Sequence, residues 1–242
     1  MTAQPPPGQL VAMLGELAEA TDRLLGTVDR MTDAEVRAPS LVPGWTRGHV
    51  LTHLARNADG LCVLVENAKT GGDAPMYRRG VGSSDEAIEA GSGRGLGDLR
   101  LDLTDSAERL LESFADFTDE AAGRVVRLGS GVPAYGSDIP LLRIREVEIH
   151  HVDLGLAYGP DDWSGDFARR ALDQIAPTFL ADRHCPVERL AAAGGPTWRV
   201  GRSGPTLTGT AQQLLAWLVG RSDGGDLTSD PPAAVPRAPR WS

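Results

Sequence analysis

Four stretches of this chain repeat apolar residues at the spacing of an α-helix, and that repetition limits the fold more than any other feature. In the first, running from Gly8 to Met31, Leu10, Met13, Leu14, Leu17, Leu24 and Leu25 form one stripe that must be buried. The second runs from Arg47 to about Lys69, with Thr46 placed as its N-cap and Thr70-Gly71-Gly72 as its end. A third covers about Leu96 to Phe117. The fourth begins at Asp138-Ile139-Pro140, where proline suits a first helical turn, and continues to about Tyr158. Helices of this length, each with one apolar stripe, satisfy one another as a four-helix bundle. The glycine run from Gly91 to Gly97 follows a helical pattern rather than a strand and lacks the lysine of a phosphate loop, so it reads as a linker.

Beyond Gly159-Pro160-Asp161-Asp162 the pattern changes. A helix is expected over Phe167–Arg183, bent or cut near Pro177. Short strands are expected over Val187–Ala192, Thr197–Val200 and Thr206–Thr210, then a helix over Ala211–Arg221 and an irregular proline-rich tail from Pro231. The fold class is therefore α plus α+β, with a helical bundle over residues 1–160 and a small α+β domain over residues 161–242.

The 242 residues include 24 Lys+Arg against 33 Asp+Glu, a net charge of −9, which argues against a nucleic-acid partner bound through its phosphates. The longest apolar run near the C-terminus, Leu214 to Val219, is far short of the ~20 residues that span a bilayer, so no membrane partner is expected. The N-terminus lacks the basic start and small-residue cleavage site of a secretory signal, and the two cysteines, Cys62 and Cys185, make no CxxC motif. A cytoplasmic protein is expected, working as a monomer on a small molecule.

Four of the five histidines fall in two helical pairs, His49 with His53 and His150 with His151. Residues four apart share a helix face ~6 Å apart along the axis, so His49 lies above His53 and Glu146 above His150. Facing helices that carry imidazole and carboxylate groups can close a metal site with an open position, suited to zinc or to non-haem iron(II). Spacing alone does not choose between His49 and His53. Glu146 and Glu148 lie nearly opposite on the helical wheel, and spacing does not choose between them either. Arg143 and Arg145 read as surface salt-bridge partners, and Cys62 as a packing residue.

The segment Pro43–Tyr77 with its GWTxxHxxxH string, the segment Leu142–Gly155 with REVxIHxxD, and Leu214–Gly225 with a Pro-Arg-Trp ending at Pro239–Trp241 together resemble the mycothiol-dependent maleylpyruvate isomerases of the DinB-like metal-binding superfamily. The resemblance implies a DinB-like four-helix bundle and zinc, or another divalent metal, on His53, Glu146 and His150. It also implies a functional arginine at Arg221, although this sequence lacks one glycine of the family's segment there. Glu148 and His151 are then expected at solvent or rim positions. The implied activity is cis-trans isomerisation of maleylpyruvate to fumarylpyruvate in gentisate-type aromatic degradation. Mycothiol supplies a thiolate that adds to the double bond, rotation follows, and elimination returns the thiol. The metal would activate the thiol or polarise the substrate carbonyl, with thiol activation the expected role. The alternatives are a mycothiol S-transferase on the same site and a non-catalytic bundle stapled by its metal.

Overall fold

The computed structural model describes residues 9–77, 84–180 and 185–239, which form two compact units, Met1–Gly155 and Leu156–Ser242. The first unit contains, in order, α1 (Gln9–Val28), α2 (Asp33–Arg37), α3 (Arg47–Thr70), α4 (Ser84–Ser92), α5 (Leu96–Ser113), α6 (Asp119–Gly123), the strands β1 (Val125–Arg127) and β2 (Pro133–Tyr135), and α7 (Ile139–Asp153). The long helices α1, α7, α3 and α5 close a ring, each packed on the next. Leu17 and Leu24, Leu51, Leu54 and Leu64, Leu99 and Leu103, and Ile144 and Val147 fill its centre, each at most 2% exposed. Burying one such side chain contributes about 1.5–3 kcal/mol.

Thr46 caps α3 as expected, its hydroxyl accepting from the His49 N–H while the His49 ring accepts from the Thr46 N–H. At the other end of the pair, α7 stops at Asp153 rather than near Tyr158. Gly155 adopts a left-handed φ of 62°, which a residue with a side chain resists. Arg47, in the first turn of α3, donates to the carbonyls of Leu154 and Gly155 just beyond the end of α7. The two helices therefore run antiparallel, with the start of one tied to the end of the other.

Several expectations need correction. The glycine run is not a free linker: Gly91 and Ser92 end α4, and Gly95 caps α5. The end of α4 packs closely on α3: a Cβ on Gly91 would stand 2.6 Å from Thr52 Cγ2, and one on Gly48 of α3 2.2 Å from the Ser92 carbonyl oxygen. Helix α5 ends at Ser113, and the β1–β2 hairpin, antiparallel with Val126 opposite Ala134, was not foreseen.

Arg143 is not a surface residue. It is 1% exposed and donates to the Leu54 carbonyl at 2.7 Å and Asn57 Oδ1 at 2.8 Å. Arg145 is half-buried. Glu148 and His151 do not face solvent either, being 4% and 2% exposed. Glu148 accepts from Arg23 at 2.6 Å and His151 pairs with Thr27 at 2.8 Å. Because α7 is packed by α1 on one side and α3 on the other, both of its polar faces are covered.

The second unit contains α8 (Gly165–Phe179), β3 (Arg189–Ala192), β4 (Thr197–Arg199), β5 (Thr206–Gly209), α9 (Ala211–Leu218) and β6 (Thr228–Asp230). The sheet order is β4-β3-β5-β6, with β3 and β5 parallel and the other pairs antiparallel. The three expected strands are present and β6 is added. Pro177 lies within the last turn of α8, and the expected helical residues 181–183 lie outside the described residues, as do 240 and 241 of the Pro-Arg-Trp ending. The tail over 231–239 has no regular structure, but Pro236 accepts a hydrogen bond from the Trp217 indole at 2.9 Å.

Candidate metal centre

The antiparallel pairing of α3 with α7 sets His53 opposite Glu146. Their Nε2 and Oε2 atoms are 3.0 Å apart, and His150 Nε2 lies 3.5 Å from the same carboxylate oxygen. One ligand atom from each of the three residues falls within 4.8 Å of the other two. The side chains are 12–20% exposed, so the cluster is sheltered but reachable. The rings of His53 and His150 meet edge to face with centroids 4.5 Å apart, and Trp45 flanks His53 at 5.6 Å.

The electrostatics suit a cation. Burial pushes the His53 imidazole below its usual range, despite its hydrogen bond to Glu146, which keeps a lone pair free. Burial also opposes ionisation of Glu146, but hydrogen bonds from His150 and His53 outweigh it and hold the carboxyl well below the ordinary value. Burial works likewise against a charged His150, yet its hydrogen bonds to Asp153 and Glu146 prevail and raise it to about 8. Asp153 is 1% exposed, and its Oδ2 stands 2.8 Å from His150 Nδ1. A carboxylate on Nδ1 fixes that nitrogen as an N–H and aims Nε2 at the cluster, where a metal would take the place of its proton, as second carboxylates do at metal-ligating histidines. The donor set therefore fits a divalent ion with positions left for other ligands.

Two predictions arise from this geometry. Asp153→Asn should weaken metal affinity by about 10–100-fold while leaving the helices intact, read by competition with a chromophoric chelator and by circular dichroism. Unchanged affinity would remove Asp153 from the site. Because His150 in the metal-free protein holds its proton up to about 8, metal must displace that proton. Affinity should rise by about tenfold per pH unit between pH 6 and 8 and level off above. In the metal-free protein the sign is opposite: protonation of His150 stabilises the fold below its ordinary value of 6.5, and that contribution is lost as pH rises through about 8. Calorimetric titrations with metal at several pH values and thermal melts of the metal-free protein check the two trends.

The other singled-out residues fall elsewhere. His49 is occupied in the cap of α3, with its Nε2 3.2 Å from Glu89, and is not a member of the cluster. Glu148 faces α1. Arg221, in the second unit, follows α9 in a Schellman turn: its N–H donates to the Ala216 carbonyl at 2.7 Å and that of Gly220 (φ 74°) to Trp217 at 3.0 Å. The Arg221 side chain is half-buried, with Nη1 donating to the Val219 carbonyl at 2.5 Å. Cys62 is half-buried and burial pushes its thiol up, which suits packing rather than attack. Sequence reasoning assigned no role to Asp153 or Trp45, although the first stands at i+3 from His150 and the second directly precedes the Thr46 cap.

The fold is shared with known proteins. Two solved structures align over 100% of both chains with 27% sequence identity and a TM-score of 0.86. One is the crystal structure of the mycothiol-dependent maleylpyruvate isomerase, and the other a histidine-to-alanine mutant of it. No curated protein matches the chain. Among the described residues no helix is long and apolar enough to cross a membrane. The model of the mycothiol maleylpyruvate isomerase N-terminal domain matches residues 17–155, more than half of the sequence and all three members of the cluster, and the chain belongs to that family.

Proposed function

We propose that the protein is a mycothiol-dependent isomerase converting maleylpyruvate to fumarylpyruvate at a divalent metal held by His53, Glu146 and His150. The observation that carries this reading is the meeting of those three donors in a bundle of the isomerase family. When bound, the metal and mycothiol together supply a thiolate able to add across the substrate double bond and be eliminated after rotation. That external sulfur suits a chain whose two cysteines are a half-buried Cys62 with a raised thiol and a buried Cys185.

The chain's own residues have more limited tasks. Glu146 stays ionised at neutral pH and offsets the ion's charge, and His53 stays neutral and offers a lone pair. Asp153 orients His150. Trp45 gives His53 an apolar wall on one side, reducing competition from water. Arg221 is assigned to a substrate carboxylate, which a guanidinium grips through two parallel hydrogen bonds.

The test is to incubate metal-loaded protein with maleylpyruvate, with and without mycothiol, and to follow the trans product by chromatography. Fumarylpyruvate formed only with mycothiol, and stopped by a chelator, supports the proposal. A stable thioether in place of the trans acid would assign the site to a mycothiol S-transferase. Turnover that survives complete chelation would overturn the metal role.

A further inference from the structure

The layer of the bundle next to the metal cluster carries polar groups that metal binding does not use. One turn further along α3 from His53 stands Asn57, and one turn back along α7 from Glu146 stands Arg143, ~4.5–6 Å from the upper pair along the helix axes. Arg143 is 1% exposed. Its Nη1 binds the Leu54 carbonyl and Asn57 Oδ1, and its Nη2 has no hydrogen-bond partner among the described residues. A buried cation without a bonded carboxylate is costly, and an apolar side chain would pack the same space more favourably. Stability therefore does not account for it.

The hydrogen bonds give this layer a direction. Asn57 Oδ1 is taken by Arg143, so the amide nitrogen is the end available to Tyr77, with which Asn57 is also hydrogen-bonded. An amide nitrogen only donates. The Tyr77 oxygen is thus the acceptor from Asn57, and its own proton is left to donate elsewhere. The ring is fixed in place: a Cβ on Gly60 would stand 2.9 Å from its Cε1, and one on Gly129 2.7 Å from its Cε2. Two glycines, one on α3 and one in the turn after β1, make room for the two edges of the ring. Burial, and after it the charge of Glu146, push the phenol up to about 12, so it stays protonated and lies within electrostatic reach of the metal cluster.

We propose that Tyr77 is a further catalytic residue, donating a hydrogen bond to the oxygen of the substrate ketone conjugated with the double bond as thiolate addition gives that oxygen negative charge, with Asn57 and Arg143 as positioning residues. The proposal rests on the isomerase reading. No proton is transferred; the phenol only donates, and the Arg143 charge, relayed through the Asn57 amide, polarises it.

Tyr77→Phe retains the ring that fills the slot and deletes the donor. In metal-loaded protein it should lower kcat by about 10²-fold, the usual cost of one oxyanion donor, with little change in KM, metal content or thermal midpoint. A readout independent of turnover is calorimetric titration with oxalate, a planar dianion whose oxygens carry negative charge as the enolate oxygen does. The variant should bind it about tenfold more weakly, an expectation of the order lost with one hydrogen bond to a charged group. Asn57→Asp, which draws the phenolic proton toward position 57, should reproduce both effects. Wild-type kcat and oxalate affinity in Tyr77→Phe would overturn the donor role and leave the isomerase reading intact. Loss of metal or of thermal stability in that variant would overturn it in favour of a packing role. If the wild-type protein turns over no maleylpyruvate, the isomerase reading fails, and unequal oxalate binding by the two proteins still locates the donor.

Discussion

His53→Ala should empty the metal centre and abolish turnover, whereas His49→Ala, one turn away on the same helix, should keep both. His53 contributes one of three donors within 4.8 Å, and a two-donor remnant binds a divalent ion weakly at neutral pH. The expected loss in kcat/KM exceeds about 10³-fold, since nucleophile generation at the metal is a large part of such chemistry. His49 has another task. Its Nδ1 faces the Thr46 hydroxyl at 2.7 Å and accepts from the Thr46 N–H at 3.2 Å, and losing a helix cap costs about 1 kcal/mol. That variant should melt a few degrees lower with full metal content. Metal analysis after desalting, alongside the isomerase assay, separates the two. Metal lost with His49→Ala but retained with His53→Ala would reassign the ligand.

The second large effect is expected at Arg221. Arg221→Ala should reduce turnover by about a hundredfold, because a carboxylate that loses its two-point grip no longer holds the reacting bond in alignment. Metal content should be normal, since Arg221 belongs to the second unit and the three donors to the first. The fold should survive too: the Schellman turn that closes α9 uses backbone groups of Gly220 and Arg221, and alanine keeps them. Arg221→Lys retains the charge without the planar fork and should recover only part of the activity. Full activity in the alanine variant, or loss of metal from it, would remove Arg221 from the substrate role.

What the sequence made legible follows from how local each signal is. The long helices are visible because their apolar stripes repeat every turn, and Thr46 is visible as a cap because capping depends on residues three apart. The His49/His53 and Glu146/Glu148 choices were not visible in spacing, since both members of each pair share a helix. The fold separates them through partners distant in sequence: Glu89 beside His49, Arg23 beside Glu148, and each other for His53 and Glu146. Family resemblance pointed to His53 and Glu146; periodicity could not. Arg143 reads as solvent-facing by the default for charged helix residues, and Glu148 and His151 do so from the family resemblance, whereas α7 is covered on two sides and hydrogen-bonds these side chains to α1 and α3. The β1–β2 hairpin and β6, three residues per strand, are too short for alternation to register.

The guanidinium of Arg47, tied to the carbonyls where α7 ends, has a consequence for how the centre is assembled. It locks the two rods in register by contacts that involve no ligand of the cluster, and the leucine core beneath them is independent of any ion. The ion therefore enters a socket already formed. Its removal should lower the melting temperature without dispersing the bundle, and refilling should proceed as a simple saturable uptake rather than as a folding reaction.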